Sequence, residues 1–264
     1  MTLKLTEIHI YPVKSLSGIS LPVSHAGMRG LTHDRRFLLV DDDGQFMTQR
    51  IFPFMATFLT NLSDNGFMVS RNGESIYIPF DLSPAGKLTI GIWDDRLNAL
   101  LAPPIFSEWF STHLGHSCQL VFMDETVKRP VAEKYGINHE EVSFADAFPY
   151  LIIGEQSLFD LNGRLEIPIP MNRFRPNLVF SGGSPFVEDS FTRFSIGDAV
   201  FRAVKPCERC IVTTTDQHTG IRGKEPLATL STYRKSNNKV MFGQNLICLK
   251  EGSIRTGDVL NLLG

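Results

Sequence analysis

The chain has 264 residues, 42% of them hydrophobic, and a formal net charge of -2. That length makes one large domain or two modest ones, and either buries a workable core. The charge balance lacks the basic excess that gripping phosphodiester backbones demands, no run approaches the roughly 18 apolar residues of a spanning helix, and four cysteines are too few for a secreted disulfide framework.

The first fifteen residues, MTLKLTEIHIYPVKS, place Leu3, Leu5, Ile8 and Ile10 among polar residues and read as a strand, not a targeting segment. The expected setting is soluble, reducing and cytoplasmic. Arg35 to Arg50 reads as two strands about the turn dipeptide Asp43-Gly44, and Gly66 to Phe80 repeats the pattern about Asn72-Gly73. Lys87 to Ala102 alternates again. Ile105 to Gly115 predicts a helix, with Phe106, Trp109, Phe110 and Leu114 at helical spacing and Gly115 as C-cap. Residues 123 to 148 are charged and weakly periodic, as in a connecting excursion.

Pro149 to Glu166 then offers a short buried strand and a helix, with Ser157 as N-cap and Leu158, Leu161 and Leu165 on one face. Strand-like runs follow in LVFSGG, FTRFSIGDAVFRAV, CIVTTTD, NLICLKEG and SIRTGDVLNLL. Ile196-Gly197-Asp198 and Thr256-Gly257-Asp258 are tight-turn signatures before strands. Many short strands with such turns predict a barrel. The expected class is mainly β with some α (α+β). We divide it into an N-terminal β-rich domain over 1–122 and a β-barrel domain over 123–264, with the first strand able to join the barrel.

The pair Cys207-x-x-Cys210 in KPCERC has several readings. A dithiol redox motif belongs at a helix start, whereas Cys210 is followed by Ile211-Val212-Thr213-Thr214-Thr215, a β-branched run hostile to a helix. A zinc half-site needs two further ligands, and Cys118, Cys248 and His218 are scattered. A single thiolate ligand to a larger cofactor needs one cysteine and cationic neighbours. Lys205 and Arg209 adjoin Cys210 in sequence, and Arg173 and Arg175 are expected near it in space. The bland alternative is a pair of small buried residues. Cations in PVKS, DRR and RFRPN sit at strand ends, where clefts open. His113 and His116 read as surface or core, and Asp41 to Gly44 as a turn. Nucleotide-loop, serine-hydrolase and zinc-protease signatures do not occur.

PVKS, DRRFLLVD, FMTQR, FADAFPYLII, RFRPNLV, the Cys210 segment with IVTTTDQHTG, and KEPLATLSTYR together resemble the MOSC proteins, named for the molybdenum cofactor sulfurase C-terminal domain. The likeness is greatest to the branch with an N-terminal MOSC-associated β domain, which includes bacterial YcbX-type proteins and the mitochondrial amidoxime-reducing component.

The resemblance implies a molybdenum cofactor (Mo-molybdopterin) with Cys210 as the thiolate on the metal. Lys14, Ser15, Arg35, Asp146, Ala147, Phe148, Arg175, Asn177, Glu208, Arg209 and Asn245 match cofactor-contacting positions. Asp146 is a candidate for handling a proton, or alternatively an acceptor that fixes its loop. The implied reaction is reduction of small N-oxygenated substrates such as amidoximes and hydroxylamines. YcbX-type proteins often continue into a ferredoxin domain, and this sequence has no cysteine set for one. The expected electron source is therefore a separate ferredoxin- or flavoprotein-like donor, with no nucleic-acid or membrane partner. The animal members' anchor is likewise not expected. Competing expectations are a cofactor or sulfur carrier without turnover, and a zinc- or dithiol-containing structural protein.

Overall fold

The computed structural model of the chain describes residues 2–136 and 140–263. The largest sheet has nine strands. Its path runs Leu260–Leu263, Arg193–Ile196, Ala199–Arg209, Lys239–Lys250, Tyr150–Gly154, Leu178–Ser181, Lys4–Ile10 and Ile19–Leu21, with Lys235–Ser236 paired to Lys239–Lys250. Strand Lys4–Ile10 is thus built into a sheet otherwise made mostly by the second half of the chain. It lies antiparallel to Leu178–Ser181, with Ile8 opposite Leu178. Its inward residues Leu5, Ile8 and Ile10 join Phe180, Phe194 and Phe201 in one buried cluster.

A second apolar cluster, around Phe37, Phe58, Phe67, Ile90 and Phe110, belongs to the first half. Two smaller sheets enclose it, one of Phe37–Val40, Gln119–Phe122, Asp95–Leu101 and Gly86–Ile92, the other of Leu59–Ser63, Gly66–Arg71 and Glu74–Pro79. Gly66–Arg71 and Glu74–Pro79 form the hairpin expected about Asn72-Gly73, and both turn residues have positive φ. Helix α1, Pro104–Leu114, begins at proline and ends on a left-handed Gly115. It buries Phe106, Phe110 and Leu114, each contributing about 1.5–3 kcal/mol of apolar transfer.

Three local expectations are corrected. After the Asp43-Gly44 turn the chain makes only isolated bridges, Val40 with Phe46 and Gln45 with Gly91, and no second strand. Its next residues, Thr48 to Arg50, line a cavity instead. Helix α2, Glu155–Asn162, is capped by Gly154 and not by Ser157. Ser157 is fully buried in its first turn, donating to Glu188 at 2.7 and 2.9 Å while accepting from the Phe186 amide. Glu188 also accepts from the Gly154 amide at 3.1 Å, and the helix dipole favours a carboxylate at that end.

The run after Cys210 is also not a strand: Ile211–Thr214 forms a 3₁₀ helix. Thr213 and Thr214 turn their hydroxyls back to the carbonyls three residues earlier, at 3.0 and 2.8 Å, which favours a tight turn over an extended ladder. A third short helix, α3, is Leu227–Tyr233. No helix among the described residues is long and apolar enough to cross a membrane.

Candidate functional site

The long strand Ala199–Arg209 pairs with Lys239–Lys250 through register shifts at Ala203/Lys205 and Pro206/Glu208. Proline is tolerated in a strand at such irregularities, and bulges re-aim the side chains beside them. The strand end therefore turns Cys207, Arg209 and then Cys210 toward a cleft. The opposite wall comes from the loop after Ile10, the loop after Val40, the segment before Tyr150, and Phe174 to Asn177.

Every residue that the family resemblance suggested for the cofactor lines this cavity: Lys14, Ser15, Arg35, Asp146, Ala147, Phe148, Arg175, Asn177, Glu208, Arg209, Cys210 and Asn245. Cys210 is half-buried, forms no disulfide and lines the cavity.

The cations differ in how far the protein already engages them. Lys14, 6% exposed, donates to the Phe144 carbonyl at 2.8 Å and to Asp146 at 2.5 Å. Burial pulls its ammonium down to about 8, against the opposing pull of Asp146. The Asp146 carboxyl is 60% exposed to water within the concavity yet ringed by protein. Burial works against its charge, but Lys14, Arg50 and Arg35 prevail and hold it well below the usual carboxylate range. Arg35 donates to Asp34 at 2.6 Å, to Asn177 at 3.2 Å and to the Arg175 carbonyl at 3.3 Å. Asn177 also donates to the His9 carbonyl at 3.1 Å, so its amide frames the wall.

Arg35 and Arg175 both lie against the Tyr11 ring, 4.4 and 4.2 Å from its centroid. Burial lifts the Tyr11 phenol to about 12 and lowers the Arg175 guanidinium to about 10. Ser15, Arg35 and Arg175 all have positive φ, a clustering of backbone strain typical of binding sites. Glu208 turns its carboxylate to Lys205 and Lys239 at 3.1 and 2.6 Å. Asn245 reaches the Lys205 carbonyl at a long 3.4 Å.

The expected neighbours of Cys210 are corrected. Arg173 is paired with Asp216, Lys205 with Glu208, and Arg209 donates to the Cys207 sulfur at 3.0 Å and to the Phe174 carbonyl at 2.6 Å. The guanidinium on Cys210 belongs to Arg50, whose Nε and Nη2 lie 3.4 and 3.3 Å from the sulfur. Arg50 stands in FMTQR, a segment the resemblance covers, but no charge cluster or spacing there sets the arginine apart. Gln49 and Gln217 were missed as well. Their amides bond each other at 3.1 and 3.2 Å, while Gln49 donates to the Ser15 carbonyl and Gln217 accepts from Arg175. Arg129, 4% exposed, donates to the carbonyls of Ser143, Ala145 and Asp146 and fixes the loop that carries Asp146.

Arg175 Nη2 and Arg209 Nε are buried without a hydrogen-bond partner. Leaving cationic donors so is costly unless something anionic meets them. The cavity therefore suits a ligand carrying phosphate or another anion at one end and a soft atom at the sulfur. Among the described residues, no cluster of three His, Cys, Asp or Glu side chains could hold a metal ion alone.

The MOSC domain matches residues 139–261, and the MOSC N-terminal beta barrel domain matches residues 2–117. Mitochondrial amidoxime reducing component 2 of Rattus norvegicus is 34% identical over 96% of this chain and 81% of its own length. The chain belongs to the MOSC family. Mitochondrial amidoxime-reducing component 1 of Homo sapiens is 32% identical over 98% of this chain and 83% of its own. Molybdenum cofactor sulfurase of Oryza sativa subsp. japonica is 31% identical over 90% of this MOSC protein, which spans 32% of that longer chain.

Proposed function

We propose that this MOSC protein holds a molybdenum cofactor through the Cys210 sulfur and reduces N-hydroxylated compounds such as amidoximes and hydroxylamines, with electrons from a separate protein. The observation that carries this reading is a free cysteine lining one cavity together with Lys14, Arg35, Arg50, Arg175 and Arg209. The names of the relatives support the substrate class. When bound, the metal centre supplies the electron and oxygen chemistry that side chains lack.

The chain's own residues would bind and orient. Arg175, Arg209 and Lys14 offset the cofactor's negative charge, as fixed forks and a point charge respectively. Arg35, Asn177 and the Tyr11 ring keep Arg175 in place. Asp146, held ionised, acts as an acceptor and a brace for Lys14. Lys14, with its ammonium at about 8 and hydrogen-bonded at the cavity wall, is the better matched proton source near neutral pH.

The test is elemental analysis and pterin fluorescence on the wild type and Cys210→Ala, with amidoxime turnover measured using a reduced ferredoxin or flavoprotein. Molybdenum and pterin in the wild type, with both metal and turnover lost in Cys210→Ala, are expected. Wild-type protein without molybdenum, from cells that make the cofactor, overturns the binding. The similarity to the sulfurase favours a second reading, a cofactor or sulfur carrier. Loaded protein that hands cofactor to an apo-enzyme yet shows no turnover with any donor selects it.

A further inference from the structure

Two halves of the chain meet at the Cys210 sulfur. Arg50, from the first half, points two nitrogens at it from 3.3 and 3.4 Å. The same guanidinium lies 4.1 Å from the centroid of the Trp93 ring and 3.9 Å from an Asp146 oxygen. Trp93 sits between strands Gly86–Ile92 and Asp95–Leu101 at φ 56, in the left-handed region that a bulky side chain rarely takes and glycine takes freely. Its indole is nevertheless partly exposed at 44%, so the strain is not repaid by deep burial.

Phe46 meets that indole edge-on at 4.8 Å, and the Lys14 ammonium lies 5.8 Å from the Phe46 ring. One aromatic pair thus supports two cavity cations. Cation and ring attract most where water is partly excluded.

Three other cavity cations are engaged at close range. Lys14 has Asp146, Arg35 has Asp34, and Arg209 has Cys207 and a carbonyl. Arg50 has the sulfur and a carboxylate at a looser 3.9 Å, and its side chain is 29% exposed. Its guanidinium is the cation in direct contact with the Cys210 sulfur.

We propose that Arg50, carried on the Trp93 ring, is a positioning and specificity residue. It aims the Cys210 sulfur into the cavity and presents a fixed positive charge to ligands whose leading atom is a negatively polarised oxygen, such as an N–O oxygen or a carboxylate. The substrate half of this inference rests on the reductase reading; the charge beside the sulfur does not.

The test uses the full chain prepared from cells that make no pterin cofactor. Iodoacetate and iodoacetamide are compared at one pH, with alkylation at Cys210 followed by peptide mass spectrometry. Both reagents form the same carbon–sulfur bond and release iodide, so their rate ratio cancels the thiolate fraction and leaves the effect of reagent charge. One positive charge about 4 Å away in water changes that ratio about fivefold.

Arg50→Gln is expected to lower the iodoacetate preference about fivefold, Arg50→Lys to keep most of it, and Trp93→Leu to fall between. The ratio at Cys207, beside Arg209, should not move. An unchanged Cys210 ratio in folded Arg50→Gln overturns the proposal. Should that variant not fold, the wild-type ratio must exceed that of the same chain in urea, and equality overturns it equally. In loaded enzyme, Arg50→Gln should raise KM for a carboxylate-bearing hydroxylamine more than for a neutral one. A responsive alkylation ratio in a protein without turnover leaves Arg50's charge established and removes the reductase reading.

Discussion

Raising the pH from about 7.5 to about 9.5 should stabilise the wild type relative to Lys14→Met by about 2 kcal/mol. Lys14 is a buried ammonium whose folded value lies near 8 against an ordinary 10.5. Between those values the unfolded chain holds a proton that the folded chain has released, so stability rises with pH across the window. Below about 8 both states are protonated, and the folded state carries the full penalty of a buried charge, roughly 3 kcal/mol for about 2.5 pH units. Methionine fills similar space without a charge, so the slope due to this group vanishes in Lys14→Met. Urea unfolding of both proteins at several pH values gives the difference directly. Parallel curves would falsify the burial argument. Asp146→Asn sharpens the test: its charge supports the Lys14 proton, so its loss should move the lower edge of the window toward acid.

Arg129→Gln removes the donor to three carbonyls of the Asp146 loop and its 2.7 Å pair with Asp95. Breaking such a buried network costs about 3–5 kcal/mol, and cofactor retention on gel filtration should fall with the melting temperature. Retention at the wild-type level removes the loop's assigned role. Glu188→Ala leaves the Gly154 amide and the buried Ser157 hydroxyl without their acceptor. It should destabilise by about 2–5 kcal/mol in denaturant titration, with Glu188→Gln milder; equal losses would contradict the helix-start argument. Tyr11→Leu removes the ring under Arg35 and Arg175 and the hydroxyl bond to the Pro176 carbonyl. Pyrophosphate binding by calorimetry should weaken about tenfold, and unchanged binding would show the ring to be dispensable.

The hairpin about Asn72-Gly73 and helix α1 were legible because their signals are local: a turn dipeptide, a spacing of apolar residues, a terminal glycine. The PVKS, DRR and RFRPN clusters were legible as a cavity wall for the same reason, since cations at strand ends recur at clefts. The readings that failed are those where a distant partner outweighed local pattern. Ser157 is a good cap by neighbourhood, yet Glu188 lies ready to receive its hydroxyl. The β-branched run after Cys210 favours a strand, yet its threonine hydroxyls bond back to carbonyls and wind it up.

From residues alone came the β-rich class, the singling out of Cys210 as a ligand candidate, and the cationic character of its surroundings. Tertiary structure alone decided which cation touches the sulfur. Arg50 and Cys210 stand 160 residues apart, and a contact across that separation leaves no periodicity, spacing or turn signal in the chain. It exists because strand Lys4–Ile10 ties the first half to the sheet of the second, bringing the loop after Val40 over the end of strand Ala199–Arg209.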